Sequence, residues 1–204
     1  CALEETVFES GGWVALLERL AGFAGGRTSP HRSSGRSRGL SIETVDGPRA
    51  SRALDEYLTE QAVPVTLAEP GHALDLGGGA LLRVLTVGPR GAVLLIEWGN
   101  FRALLPVGVN FDALDELQNG KDVGPVSVLL LADSGYAPVN PPEWIANLRP
   151  QLIVLSVAAG DKSGFPSPET LAAAQGYSLL RTDQNGWIQV VTDGEKIWVE
   201  VEKK

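Results

Sequence analysis

Three apolar runs set close together, Ala80–Val87, Ala92–Trp98 and Phe101–Val107, constrain this chain more than any other feature. Each has the length of a β-strand, and the breaks hold Gly88-Pro89-Arg90-Gly91 and Gly99-Asn100, which are turn residues. Connections this short cannot make a parallel crossover, so the spacing predicts an antiparallel meander. The middle run, Ala92-Val93-Leu94-Leu95-Ile96, is apolar on both faces and is therefore expected to be covered on both. Material to cover it lies on either side. Upstream, Trp13, Leu16, Leu17, Leu20 and Phe23 recur at helical spacing, and a second helix is predicted from Ser51 to Gln61 with Leu54, Tyr57 and Leu58 inward. Short strands are expected at Val65–Ala68 and Ala73–Leu76, with a turn at Asp75–Gly79.

Downstream the pattern alternates. Asn110 is placed to cap a helix carrying Phe111, Leu114 and Leu117, with Gly120 just past its end. Val126–Leu131 and Leu152–Val157 read as buried strands. Asn140-Pro141 starts a helix with Trp144, Ile145 and Leu148, and Ser167-Pro168 starts another through Ala174. Leu179–Arg181 leads to Asn185-Gly186, a hairpin signal. Trp187–Thr192 and Ile197–Val201 pair around Asp193-Gly194. The expected class is α/β (α+β), with mixed sheets covered by helices, and the chain of 204 residues is read as one domain, 1–204.

Composition excludes several chemistries. One cysteine (Cys1) cannot form a disulfide within the chain, and zinc ribbons lack their thiolates. Two histidines, His31 and His72, cannot supply three imidazole ligands. The net charge of -8 argues against an overall nucleic-acid coat while leaving a local patch open. No run approaches the ~20 apolar residues of a membrane-spanning helix, and no signal peptide is visible. Cys1 is compatible with a processed lipoprotein, but a cut through a longer chain is the preferred reading of a start without methionine. Residues 25–41 are Gly-, Ser-, Arg- and Pro-rich, with Arg27, Arg32, Arg36 and Arg38 and no acid. They read as a flexible loop. Its arginines are either contacts for DNA phosphates or a solvated insertion.

A family resemblance rests on particular residues. The stretch Gly160-Asp161-Lys162-Ser163-Gly164-Phe165-Pro166-Ser167-Pro168-Glu169-Thr170-Leu171, then Gly176 and Leu180-Arg181-Thr182-Asp183-Gln184-Asn185-Gly186, resembles the end of the metallo-β-lactamase-like domain of ComEC-type DNA-internalisation (competence) proteins. Leu74-Asp75-Leu76-Gly77-Gly78, Val93–Gly99 and Phe101–Leu105 are similar to its central strands, and Leu148-Arg149-Pro150-Gln151-Leu152 to the Arg-Pro-containing entry to its later strand. The resemblance implies an αββα sandwich lacking its first strands before Cys1. It also implies a membrane channel in the same parent protein, single-stranded DNA as a partner, and an extracytoplasmic location for this domain.

The family's chemistry uses divalent metals to make hydroxide and polarise phosphate. Its ligands come from a His-x-His-x-Asp-His motif, a later Asp and a His-His-Gly-Ser loop. Aligned on Gly11-Gly12, the first motif falls here on Glu4, Thr6, Phe8 and Glu9. The later Asp is replaced within Pro106-Val107-Gly108-Val109, and the His-His-Gly-Ser loop by Asp133-Ser134-Gly135-Tyr136. A further Gly-His-Pro turn becomes Gly164-Phe165-Pro166, with Phe165 expected to fill the vacated pocket. The reading is therefore a domain without catalytic residues, metal ligands, cofactor or small-molecule substrate. The alternative is a hydrolase of the same fold with a hard-metal site rebuilt from Glu4, Glu9 and Asp133. Asp133-Ser134-Gly135 lacks a nucleophile elbow and a base. Gly77-Gly78-Gly79 opens no helix and is no phosphate loop. His72 is expected to pack locally beside its turn, and the five tryptophans to serve core and edges.

Overall fold

The computed structural model describes residues 6–8, 59–60, 62, 68–88, 91–120 and 123–203. Among these residues ten strands form two sheets. The larger has seven strands in the spatial order β2-β3-β4-β5-β6-β7-β8: β2 (Ala73–Gly77), β3 (Ala80–Gly88), β4 (Gly91–Trp98), β5 (Phe101–Val107), β6 (Val128–Leu130), β7 (Leu152–Leu155) and β8 (Ser178–Arg181). The smaller sheet has the order β1-β9-β10, with β1 (Thr6–Phe8), β9 (Ile188–Thr192) and β10 (Ile197–Val201).

The expected meander is present: β2 to β5 pair antiparallel in sequence order, and β4 is buried at all five of its first positions. From β5 onward the pairing is parallel. Parallel neighbours need crossovers. These are α1 (Phe111–Gly120), α2 (Pro142–Leu148) and α3 (Pro168–Ala173), all on one face of the sheet. The strand period of two then assigns the two cores. Val93 and Leu95 of β4, Leu104, Leu129, Ile153 and Leu155 face α1 and α2 through Leu114, Leu117, Trp144, Ile145 and Leu148. The alternate residues, Leu94, Leu105, Val128, Leu130, Leu152 and Val154, face Ile188, Val190, Ile197 and Val201 of the small sheet. The described layers are thus helix, sheet, sheet.

Several expectations need correction. Asn185-Gly186 is not a hairpin: β8 lies in the large sheet, and α4 (Thr182–Asn185) carries the chain across to β9 in the other. Asp75–Gly79 is not all turn, since β2 runs through Gly77 and Asp75 Oδ1 accepts the Gly77 N–H at 2.8 Å. Gly120 is the last residue of α1 rather than the residue after it. Of the apolar residues expected on this helix, Leu114 and Leu117 are buried, whereas Phe111, its first residue, is 61% exposed. The cap itself is as expected, with Asn110 Oδ1 accepting the Ala113 N–H at 2.9 Å. The first helix, nearly all of the second, His31 and the segment 25–41 with Arg27, Arg32, Arg36 and Arg38 lie outside the described residues, as do Glu4 and Glu9.

The two sheets are clipped together at one end. The carbonyl of Gly194, in the β9–β10 turn, accepts the N–H groups of Asn100 (2.6 Å) and Phe101 (3.1 Å) from the β4–β5 turn. Gly99 permits this approach. Its φ is +57°, and a Cβ there would lie 2.8 Å from the Gly194 carbonyl oxygen. Among the described residues no helix is long and apolar enough to cross a membrane.

Candidate functional site

Strands β5 to β8 point the same way, so their C-terminal ends form one crest, where open α/β sheets usually hold their sites. The segments there are Val107–Asn110, Ala132–Tyr136, Val157–Phe165 and Thr182. They are the positions at which the resemblance would put the later ligands.

The β6 segment is shaped by its backbone. Asp133 (φ 43°), Ser134 (φ 52°) and Gly135 (φ 82°) are successive left-handed residues, a conformation disfavoured for the first two. The fold holds it by side-chain bonds. Asn140, 1% exposed, donates from Nδ2 to the carbonyls of Ala132 (3.0 Å) and Tyr136 (2.7 Å), and its Oδ1 accepts the Ala132 N–H at 2.9 Å. Asn140 was expected to open a helix; that role falls to Pro141 and Pro142, whose ring-fixed φ suits a helix start, while the amide turns inward. The Gly135 carbonyl accepts from Thr170 Oγ1 (2.8 Å) and the Ser167 N–H (3.1 Å), and Ser167 Oγ accepts the Ala137 N–H at 3.2 Å. A Cβ at Gly135 would meet Pro166 Cβ at 2.7 Å, so the two loops touch directly.

Phe165 stands over this junction, half-buried against the helix-side core, with its ring edge-on to Tyr136 at 5.9 Å and 77°. Its loop is fixed by Asp161, whose carboxylate accepts the N–H groups of Ser163 (3.1 Å) and Phe165 (3.1 Å). Those bonds, the Ser163 N–H foremost, hold the Asp161 carboxyl below its ordinary pKa of 3.8, against a smaller opposing effect of desolvation. At the end of β7, Thr182 Oγ1 both accepts the Val157 N–H (2.9 Å) and donates to its carbonyl (2.8 Å). Beside it, Arg181 and Asp183 form a two-point ion pair, Nε–Oδ1 at 3.0 Å and Nη2–Oδ2 at 2.6 Å. Below the β5 end, Val109 is 2% exposed.

The crest is consequently a set of loops locked to one another by buried polar bonds. Among the described residues no group of three or more His, Cys, Asp and Glu side chains is gathered to hold a metal ion. Val107 and Val109 offer no donor, and Asp161 already accepts two backbone hydrogens. These residues do not fit the metal centre that the resemblance implies. Of the expected ligand positions, Thr6 and Phe8 lie in β1, paired with Val190 and Ile188 of β9. His72, the one histidine among the described residues, lies away from the crest. There its Nδ1 accepts the Glu69 N–H at 3.3 Å, the local packing expected of it. Gly78 is a hairpin residue whose carbonyl accepts from Trp98 Nε1 at 3.0 Å.

Sequence reasoning missed Asn140, Thr170 and Thr182. Their signal is slight: a polar residue beside a strand end or in an otherwise apolar helix face, which equally suits a cap or a solvated position.

The architecture defines a mixed α/β protein built on a large sheet. No protein-family model matches the chain, and no curated protein is similar to it. Solved structures that share features of the fold include a protein assigned as a metal-dependent hydrolase from Parabacteroides distasonis, with TM-score 0.45 and 11% identity over 71% of this chain and 74% of that one. Another is a protein of Thermotoga maritima assigned as a zinc-dependent hydrolase of the metallo-β-lactamase superfamily, with TM-score 0.40 and 13% identity over 57% of this chain and 71% of that one.

Proposed function

We propose that the chain is a metallo-β-lactamase-like domain whose metal pocket has been replaced by packing, serving a DNA-uptake membrane protein as a structural or DNA-handling module without hydrolytic activity. The observation that carries this reading is the Phe165–Tyr136 contact over the Asn140-braced β6 loop. An edge-to-face aromatic pair stands where the resemblance places a histidine turn and a His-His-Gly-Ser loop. A site for hydroxide needs ligand donors, an open coordination position and water. The rings of Phe165 and Tyr136 replace the imidazole donors of that pattern, and Asp133 is the one carboxylate in the braced loop. The resemblance of residues 160–186 to that family suggests the DNA-uptake context, and Arg27, Arg32, Arg36 and Arg38 are proposed as contacts to single-stranded DNA.

The test is metal analysis of purified protein together with a nuclease assay in added manganese or zinc. Sub-stoichiometric metal and no cleavage above the buffer rate are expected. Stoichiometric metal with phosphodiester cleavage lost on Asp133→Ala would establish the rebuilt carboxylate site instead.

A further inference from the structure

Strand β10 pairs with β9 on one side only, and among the described residues it is an outer strand of its sheet. Which of its backbone groups face outward follows from the register. The Glu202 N–H donates to the Trp187 carbonyl at 3.1 Å, and Glu200 and Trp198 stand opposite Gln189 and Val191 at the same two-residue spacing. Antiparallel alternation therefore turns the N–H and C=O groups of Trp198 and Glu200 toward β9. Those of Ile197, Val199 and Val201 point away from it.

We infer that this edge pairs with the same edge of a second copy, antiparallel across a two-fold axis through Val199. The row specifies its own partner. Centring on Val199 sets Ile197 opposite Val201 of the other copy and Val199 opposite itself, so every outward backbone group meets a complementary one. The flanks then match by charge: Lys196 faces Glu202 of the second copy, and Glu195 faces Lys203. Shifting the centre to Glu200 would oppose Glu200 to itself, and shifting it to Trp198 would set Glu195 against Val201, so neither keeps both the charges and the apolar row matched. All four flanking charges are exposed, as is Val199 at 38% although its neighbours Ile197 and Val201 pack into the inter-sheet core. Pairing would make one six-stranded sheet and continue that apolar row across the axis. A two-fold interface of this kind is self-complementary and closes, so it yields a dimer rather than a filament.

Five residues a side bury much less than the ~1,200–2,000 Å² of a tight complex, so the association is weak and depends on concentration. In sedimentation equilibrium from about 10 μM to about 1 mM, the apparent mass is expected to rise from 21.6 kDa toward twice that value. Val199→Pro removes an outward N–H and so is compatible with the folded edge strand while blocking pairing. It should keep the circular dichroism spectrum and abolish the mass rise. Glu195→Lys and Lys203→Glu should each weaken association about five- to tenfold at low salt, and the double charge swap should restore it. A mass of one copy at every concentration would overturn the inference. So would an association that survives Val199→Pro, or a double swap no better than either single variant. None of these outcomes depends on metal content or nuclease activity.

Discussion

Asn140 concentrates more structural consequence than any other single side chain at the crest. Its amide accepts the Ala132 N–H and gives a second donor to the Ala132 and Tyr136 carbonyls, which also accept the Gly135 and Val139 N–H groups. Asn140→Ala leaves the buried Ala132 N–H without a partner and takes one donor from each carbonyl, and it should lower stability by about 2 kcal/mol, read as a shift of the denaturation midpoint. Phe165→Ala removes a half-buried ring and its contact with Tyr136. The cost should be about 2 kcal/mol, below that of a fully buried phenylalanine. An unchanged midpoint would mean that the ring fills no pocket. Asp161 carries a pH signature. Its folded pKa lies below 3.8, so its contribution is present above the unfolded pKa and is lost as pH falls through the folded value. Carboxyl carbon NMR should show Asp161 titrating below an unfolded aspartate, and Asp161→Asn should flatten that part of the acid-unfolding curve.

Among the elements, the clip between turns is the most exacting. Gly99 accepts φ +57° and lies against the Gly194 carbonyl, where no methyl fits. Gly99→Ala should cost about 2 kcal/mol and speed hydrogen exchange at Asn100 and Phe101, whose amides bond Gly194. The meander, by contrast, was legible in the sequence, because β3 to β5 are joined by turns too short for any other pairing. So was the helix capped by Asn110. The sequence could not show that β8 and β9 separate. Asn185-Gly186 is a good local hairpin signal, but the choice between sheets is made by distant partners: Leu152–Leu155 for β8 and Thr6–Phe8 for β9. The crest was legible in one sense only. The residues replacing ligands could be named, but the polar bracing by Asn140, Thr170 and Thr182 depends on which carbonyls the fold brings near.

At the scale of the whole molecule, charge decides how the domain can meet DNA. With a net charge of -8, the chain repels a polyanion everywhere except where cations gather. If Arg27, Arg32, Arg36 and Arg38 make the contacts, single-stranded DNA affinity should fall with salt at a log–log slope of about -3, near 0.7 per phosphate neutralised. Replacing all four by Gln should remove most of that slope. A slope unchanged by the replacement would place the contact elsewhere.

The pairing of β1 with β9 carries a consequence for synthesis. Thr6 meets Val190, so during synthesis β1 waits for a strand that follows it by most of this sequence. At cellular rates of about 5–20 residues per second, that wait is roughly 10–40 s. During it the inner face of the large sheet, Leu94, Leu105, Val128 and Val154, lacks the β9 and β10 residues that pack on it. A nascent chain of this protein is therefore a natural client for a factor that shields apolar sheet faces, until the final hairpin emerges and closes the sandwich.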